Sequence, residues 1–540
     1  MVKSDIFNIT DKLRFDEEIK KYEEYEFTPS VNSNLNSGEI RIYVENSDSL
    51  FHPHESYLEI EGKLVKADGS AYADADAITL THNGLMHLFD RIEYKFYDSV
   101  VESVNFPGKA TTMLGMLKYL NDFQQSKAMN QLWFKDTTST ADLVNNAGFS
   151  ARQQYIIQKP TTKGSFELNI PLRHIFGFCD DYDKVFYGLK HELFLLRASD
   201  DNAIFKAAGV AAGKVNITRI SLMMRRVTPS AIADLELTKI IKSQETLDLG
   251  FRSKYLDKMN VPQNTSFDWR LGVRTTEKPR YILVGFQTNR EGNQEQNSSI
   301  FDHCDLKNKW IKLNEERYPA TNYSLSFPNM KITRAYRHAS NFAEDYYNMT
   351  NLISLCGITP SDYRDLYPIM YFNVSKQSER MKDSTVDIRL KAEFNTPVPA
   401  GTIIFALIIS DKIAKLTSNG EKPIKEKKPK KEKPIKEKKR VGRPRIHPIK
   451  EKKERDPKYD RLVTIRTNPT TIKLTNVETG EVKTYNSKYD YIRKEKHGHI
   501  YLEKYNGKVK NGVLIELIRV GSEGIKLECP EIIQDEKEDL

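Results

Sequence analysis

The chain has 540 residues, of which 39% are hydrophobic and 10% aromatic, so most of it is able to bury a sizeable core. Its four cysteines, Cys179, Cys304, Cys356 and Cys529, show no CxxC spacing, which argues against a disulfide scaffold and a zinc finger. The formal net charge is +9, but it is concentrated in one segment near the C-terminus, which excludes a uniformly basic nucleic-acid-binding body.

Residues 1–34 are predicted to form an N-terminal arm. The arm contains charges from its first residues and no apolar run like the core of a signal peptide. The longest apolar stretch of the chain, from Ile403 to Ile409, is far shorter than the roughly 20 residues of a membrane helix. We therefore expect no membrane span, and synthesis in the cytoplasm with the nucleus as an alternative site.

The part of the chain after the arm has the periodicity of β-strands. Apolar and polar residues alternate over residues 40–44, 166–170, 267–273 and 386–394, which predicts strands with one buried face. The runs YILVGF, starting at Tyr281, and IIFALII, starting at Ile403, do not alternate and suit strands buried on both faces.

Two segments have a helical period instead, over residues 112–123 and 340–355. Ser340 is predicted to be the N-cap of the second helix, and Gly357 to follow its end. Strand-rich stretches lie on either side of residues 226–240, and no sequence repeat relates them. The sequence therefore predicts two domains, at residues 35–230 and 231–415.

The composition changes abruptly after Ser410. The hexapeptide PIKEKK occurs three times, starting at Pro423, Pro434 and Pro448. Residues 416–458 are accordingly predicted to be a disordered Lys/Pro-rich basic linker, because such a composition cannot form a core. Residues 459–540 are predicted to form a small α+β module with a hairpin over 471–485, a helix over 488–496 and a strand over 513–518.

The linker carries the positive charge of the chain. Between Glu421 and Lys458 there are 18 Lys or Arg and 7 Asp or Glu, a net charge of +11, so the rest of the chain carries about −2. The sequence RVGRPR, starting at Arg440, resembles an AT-hook, whose Gly-Arg-Pro core lies in the minor groove of A·T-rich DNA. Val441 departs from the motif, which usually has arginine there. The residues predicted to bind nucleic acid are Lys438, Lys439, Arg440, Gly442, Arg443, Pro444 and Arg445. A nuclear localisation signal and a solubilising charge run are the alternatives.

Motifs of enzymes are incomplete in this chain. His191-Glu192 begins an HExxH pattern but Leu195 occupies the place of the second histidine, and Gly108-Lys109 lacks the Ser or Thr of a P-loop. His303-Cys304 suggests a Cys/His nucleophile, but neighbouring residues of a strand point to opposite faces.

Candidate metal ligands are weak as well. His52 and His54 are only two ligands and flank Pro53, which favours a turn, and the Asp180, Asp181 and Asp183 group is either a cation site or a solvated acidic turn. We predict no catalytic residue, no cofactor and no metal site, and hence no enzyme.

Several long blocks resemble a known family. Residues 80–102, 145–160, 170–193, 278–288, 300–329 and 358–382 look like the double jelly-roll major capsid proteins of Polinton/Maverick-type elements and related viruses; the third block reads IPLRHIFGFCDDYDKVFYGLKHEL. The resemblance covers about residues 35–415. It implies an all-β fold of two tandem eight-stranded jelly rolls with inserted short helices, ahead of the basic linker and the α+β module.

The resemblance also implies a function. Three chains would form a pseudo-hexagonal capsomer, and capsomers would tile the icosahedral shell of a double-stranded DNA virus or virus-like element. The partners would be other copies of the chain, a minor (penton) capsid protein and, through the linker, DNA. The long insertions at residues 288–299 and 315–365 would supply towers or subunit contacts.

Two other functions compete with a capsid subunit in the virion. The first is a host-resident DNA-binding or chromatin-associated protein that retains a jelly-roll body and works through the linker. The second is a carbohydrate-binding or hydrolytic β-sandwich, for which no carboxylate pair has persuasive spacing. The C-terminal module faintly resembles small DNA-binding modules of mobile-element endonucleases, and a generic α+β domain is the alternative.

Overall fold

The structure is a computed structural model of the chain. It describes residues 18–30, 33–45, 49–187, 189–242, 247–272, 277–349, 356–377 and 386–416, and four strands between residues 470 and 519. The chain divides into two compact units, Met1–Lys428 and Pro429–Leu540.

The N-terminal part of the first unit is a jelly roll of antiparallel strands, called here the first jelly roll. Its strands are β1 (Ile19–Phe27), β2 (Glu39–Val44), β3 (Leu50–Phe51), β4 (Tyr57–Lys66), β5 (Ile78–Leu80), β6 (Phe89–Phe96), β7 (Ser99–Asn105), β8 (Ser165–Pro171), β9 (Phe186–Tyr187), β10 (His191–Arg197), β11 (Ile204–Lys206) and β12 (Gly213–Pro229). One main sheet has the order β8-β4-β12-β3-β9 with β1 added along β12, and the other main sheet has the order β2-β10-β6-β7, while β5 and β11 form a separate two-stranded sheet.

The two sheets share one hydrophobic core. Ile40 and Ile42 of β2 are fully buried, as are Leu58 and Ile60 of β4, and the residues between them are partly or fully exposed. This alternation follows from the pleat, which sends successive side chains to opposite faces. It confirms the strand predicted over residues 40–44.

The second jelly roll follows in the same unit. Its strands are β13 (Leu247–Asn260), β14 (Ser266–Arg270), β15 (Lys278–Thr288), β16 (Leu306–Leu313), β17 (Glu316–Tyr318), β18 (Met370–Asn373), β19 (Ile388–Phe394) and β20 (Thr402–Leu416). They form two antiparallel four-stranded sheets, β13-β20-β15-β18 and β14-β19-β16-β17. The adjacent central strands β15 and β20 are buried on both faces, as their unbroken apolar runs predicted. The predicted all-β double jelly roll is confirmed, while the predicted domain limits stay a prediction.

Short helices connect the strands. They are α1 (Pro107–Lys118), α2 (Asn121–Gln124), α3 (Ala147–Ile156), α4 (Leu172–Ile175), α5 (Gly177–Asp181), α6 (Ala231–Lys242), α7 (Thr333–Ser340), α8 (Phe342–Tyr347) and α9 (Pro360–Asp365). Helix α1 begins five residues before the predicted start because Pro107 suits the first turn of a helix. None of the helices within the described residues is long and apolar enough to cross a membrane.

The helix predicted over residues 340–355 is wrong in its limits. Ser340 is the last residue of α7, and Asn341 is the N-cap of α8. Helix α8 ends at Tyr347 because Asn348 has a left-handed conformation (φ 53°), so Gly357 does not follow its end. Residues 350–355 lie outside the described residues.

The C-terminal unit contains β21 (Thr470–Asn476), β22 (Val482–Tyr485), β23 (Lys508–Lys510) and β24 (Val513–Arg519). They form one antiparallel sheet in the order β22-β21-β24-β23. Ile472 pairs with Tyr485, which confirms the predicted hairpin, and β24 confirms the strand predicted over 513–518. The helix predicted over 488–496 lies outside the described residues.

Candidate functional site

The predicted nucleic-acid contacts fall in the basic linker. The described part of the first unit ends at Leu416, at the end of β20, where this residue pairs with Leu247 of β13. All seven predicted contact residues lie outside the described residues: Lys438, Lys439, Arg440, Gly442, Arg443, Pro444 and Arg445. Their role stays a prediction.

The histidine and lysine of the incomplete enzyme motifs are buried and form hydrogen bonds with other residues of the fold. His191 is buried in β10, where its Nδ1 lies 2.7 Å from the Tyr94 hydroxyl and burial lowers the pKa of the imidazole to about 3. Lys109 is buried in α1, and its Nζ donates to Gln287 Oε1 at 2.6 Å and to the Ser298 carbonyl at 2.7 Å. His191 is therefore part of the core beside Tyr94, and Lys109 connects the two jelly rolls through its hydrogen bonds.

His303 and Cys304 do not form a nucleophilic pair. The His303 ring stacks on Phe327 with centroids 4.7 Å apart, and its Nδ1 accepts a hydrogen bond from the Asp305 amide at 2.8 Å. Burial, together with the nearby Asp302 carboxylate, raises the pKa of the Cys304 thiol to about 12. The thiol stays protonated near neutral pH, and only a thiolate would be an effective nucleophile.

His52 precedes a short helical turn, Pro53–Glu55, and His54 lies within it, as the proline between them predicted. The His52 ring binds the Tyr22 hydroxyl at 3.0 Å and Asp183 Oδ1 at 2.9 Å, and His54 Nδ1 lies 2.7 Å from the Cys179 carbonyl oxygen. Within the described residues, no three His, Cys, Asp or Glu side chains are grouped so that they could hold a metal ion.

The feature that the sequence did not predict is the buried contact between the two jelly rolls, called here the junction. Asp180 of α5 accepts hydrogen bonds at 2.6 Å from Lys118 Nζ of α1 and from the Tyr346 hydroxyl of α8. Burial opposes the charged carboxylate, but Lys118 and Lys254 outweigh it and lower the pKa of Asp180. Asp180 is therefore neither a cation ligand nor a solvated turn residue, and both predicted alternatives are wrong for it.

Asp181 forms the second ion pair of the junction. Its carboxylate binds the guanidinium of Arg252, on β13, through several hydrogen bonds, of which Nε to Oδ2 measures 2.8 Å. The same guanidinium lies 3.7 Å from the centroid of the Tyr346 ring and donates to the Tyr346 carbonyl at 2.7 Å. The planar guanidinium of Arg252 binds the carboxylate of Asp181 in a bidentate manner and also stacks on the ring of Tyr346. It therefore fixes both the distance and the angle between these two residues.

Helix α5 and strand β13 also approach each other closely. A Cβ on Gly177 would lie 1.7 Å from the Arg252 carbonyl oxygen, so no other residue fits there. Beside it, the buried Glu102 accepts hydrogen bonds at 3.1 Å from the amides of Phe178 and Lys254. Burial raises the pKa of Glu102 to about 7.

A second group of junction contacts surrounds Asp136. Its carboxylate pairs with Arg152 at 2.7 Å, and both side chains are completely buried. Asn146 Nδ2 donates to the same oxygen at 2.9 Å, and Asn297 Nδ2, from the second jelly roll, donates to the other oxygen at 2.8 Å. The Tyr367 hydroxyl donates to the Asp136 carbonyl at 3.2 Å.

The loop after β15, at residues 288–299, belongs to the junction too. Gln294 bonds both the amide and the carbonyl of Gly213 at 2.9 Å, and Ser299 Oγ donates to the His82 carbonyl at 2.5 Å. Asn297, Ser298 and Ser299 are fully buried. Residues 297–299 thus join the two jelly rolls of one chain and are not exposed for a tower or subunit contact. For the exposed residues of the loop, that use stays a prediction.

Comparisons with known proteins agree with this architecture. The double jelly roll-like domain family matches residues 78–414. No curated protein matches the chain by sequence.

Among solved structures, a chain from the cryo-EM structure of the Sputnik virophage is 10% identical with a TM-score of 0.51, covering 78% of this chain and 92% of its own length. The mavirus major capsid protein is 12% identical with a TM-score of 0.47, covering 77% and 92%. Since the family match spans more than half of the sequence, the chain belongs to the double jelly roll-like domain family.

Proposed function

We propose that the chain is a major capsid protein that forms trimers, and that these pseudo-hexagonal capsomers tile the icosahedral shell of a double-stranded DNA virus or a virus-like element of the Polinton/Maverick type. The proposal is supported by family membership and by the fold shared with a chain of the Sputnik virophage structure. It places the protein in the virion, with other copies of the chain and a minor (penton) capsid protein as partners.

The observation that carries the proposal is the junction. Two jelly rolls joined by a flexible tether could not present contact surfaces at a fixed angle, which a closed lattice requires. Here Arg252 and Asp136 each bind residues of both jelly rolls through charge-assisted hydrogen bonds, which are buried at Asp136 and partly buried at Arg252. Such bonds are short and directional, so they favour one relative orientation.

Two cavities inside the described body are too small to hold a substrate. A cavity beside Lys109 has a volume of about 30 Å³, and one beside Lys309 about 10 Å³. A single water molecule needs about 10–15 Å³ of such volume, so these cavities admit water rather than a substrate. Family membership is the main support for our proposal of a non-enzymatic role, and these small cavities are consistent with it.

The linker supports a contact with DNA. It begins after Leu416 and carries a net charge of +11 between Glu421 and Lys458. Such a segment neutralises phosphates without base recognition, and the RVGRPR sequence adds the option of minor-groove binding. In a shell, this function requires the linker to face the interior.

Light scattering and negative-stain electron microscopy of the purified full chain test the proposal. We expect a stable trimer whose contacts bury more than about 2,000 Å², and capsomer-sized particles with pseudo-sixfold outlines. A protein that remains monomeric across micromolar concentrations would contradict it.

The basic linker favours one alternative, a host-resident DNA-binding or chromatin-associated protein with a jelly-roll body. A monomer that binds DNA tightly would support this alternative. A measurement of the protein's mass in solution therefore distinguishes the two functions.

A further inference from the structure

Helix α6 lies between the two jelly rolls in the sequence, and most of residues 231–239 are exposed. It follows β12 directly and packs against it. Ala233 and Leu237 are partly buried, whereas Ile232 is 74% and Leu235 62% exposed. Ile232 and Leu235 are three residues apart and therefore share a face of the helix. A helix with apolar side chains on two faces usually has a partner on both.

The N-terminal arm reaches the body at the start of this helix. The Glu18 carbonyl accepts a hydrogen bond at 2.7 Å from the amide of Ser230, the residue before α6. Ile19 pairs with Pro229 at the end of β12, and its side chain is 42% exposed. The described part of the arm therefore begins beside the first turn of α6.

Residues 1–17 lie outside the described residues, but their sequence suits this face. Val2, Ile6, Ile9 and Leu13 follow one another at intervals of four, three and four residues, the spacing of one helical face. Helix α6 is about 18 Å long, and 17 residues span that distance in either helical or extended form. Tethering at Glu18 also gives the segment an effective concentration in the millimolar range near the helix.

We propose that residues 1–17 bind the exposed face of α6 in the same chain and cover Ile232 and Leu235. The arm would then continue β1 as a clasp over the connection between the two jelly rolls. This inference does not rest on the capsid proposal, because it concerns one chain and holds in any oligomeric state.

Hydrogen–deuterium exchange of the full chain and of a variant without residues 2–17 tests the clasp. Amides of residues 231–242 should exchange at least about tenfold faster in the truncated variant, because local opening is no longer opposed. The full-length variant I6S/I9S/L13S should reproduce this increase, and the matched polar variant N8S/D11S should not. Equal exchange in all four proteins would overturn the proposal.

A photo-crosslinking amino acid at position 235 identifies the occupant. The experiment uses an equal mixture of isotopically heavy and light full chains. Crosslinks between position 235 and residues 1–17 within one isotope class are expected. Mixed heavy–light crosslinks would assign the face to a neighbouring copy and overturn binding within the chain, as would crosslinks to any other segment.

Discussion

Asn297 Nδ2 of the second jelly roll donates a hydrogen bond at 2.8 Å to Asp136 Oδ2 of the first. The other oxygen of this carboxylate is bound by Arg152 and Asn146, so a buried charge in the first jelly roll depends on the second for part of its hydrogen bonding. Because such a charge is costly when a partner is missing, separation of the two jelly rolls would destabilise the first one. The two should therefore unfold as one unit.

The N297A variant tests this dependence. We expect a loss of about 1–3 kcal/mol in the free energy of unfolding, since one buried acceptor loses its donor. Urea unfolding followed by fluorine NMR of the 5-fluorotryptophan-labelled chain measures it at Trp133 in the first jelly roll and at Trp269 in the second, each resolved from the third tryptophan, Trp310. The exposed Asn293 of the same loop provides the control variant N293A, which should change little. Separate transitions at the two tryptophans in the unmodified protein would contradict the coupling.

The Arg252–Asp181 pair gives a second prediction. R252K keeps the charge but loses the bidentate bond and the flat contact with Tyr346, so we expect a loss of about 2 kcal/mol in stability and faster proteolysis between the jelly rolls. R270K is the matched control, because Arg270 is 68% exposed in its ion pair with Asp387. Similar effects of both substitutions would show that the planar geometry of Arg252 is unimportant.

The sequence predicted the strands better than the junction. Alternation, as in Phe166, Leu168 and Ile170, reports directly which face of a strand is buried, and the structure confirms it. The periodicity of a strand does not show which distant residue a charged side chain pairs with. Lys118 and Asp180 are 62 residues apart, so no local pattern joins them.

Some of the missed features did have a local signal. Helix α3 begins at an N-cap, Asn146, whose side chain accepts from the Phe149 amide. Helix α6 lies in the segment interpreted as a domain division, although Ile232 and Leu235 have helical spacing. The predicted DNA contacts in the linker lie outside the described residues and remain to be tested by experiment.

Lys309 of β16 predicts a pH dependence. Its side chain is 2% exposed, and its Nζ has no hydrogen-bond partner within the described residues and lies about 5 Å from the centroids of the Tyr323 and Phe372 rings. Burial, assisted by the nearby Arg334, lowers the pKa of this amine to about 7 from 10.5. The unfolded chain therefore binds the proton more tightly. The free energy of unfolding should therefore rise between pH 7 and about 10.5. Below pH 7 the buried amine is charged, and the full cost of burying that charge is present.

Replacing the amine by a thioether should remove that cost. We expect K309M to raise the free energy of unfolding by roughly 1–3 kcal/mol at pH 7, with a gain that shrinks towards pH 10. Denaturant unfolding at several pH values measures the difference. K307M, at an exposed position of the same strand, should have no such effect. A gain independent of pH would show that better packing, and not the lost charge, is the cause.

The basic linker provides the last prediction. A chain truncated after residue 418 should still trimerise but lose DNA binding, because 18 of its basic residues lie between Glu421 and Lys458. For the full chain, the logarithm of affinity should fall with the logarithm of salt concentration at a slope of about −0.9 per phosphate contacted. R443A/R445A should weaken any preference for A·T-rich DNA more than it weakens general binding, whereas K425A/K427A removes the same charge and should weaken both kinds of DNA alike. Equal binding by the truncated and full-length proteins at low salt would refute the role of the linker. The proposed capsid function would survive that result, since its own test is the trimer.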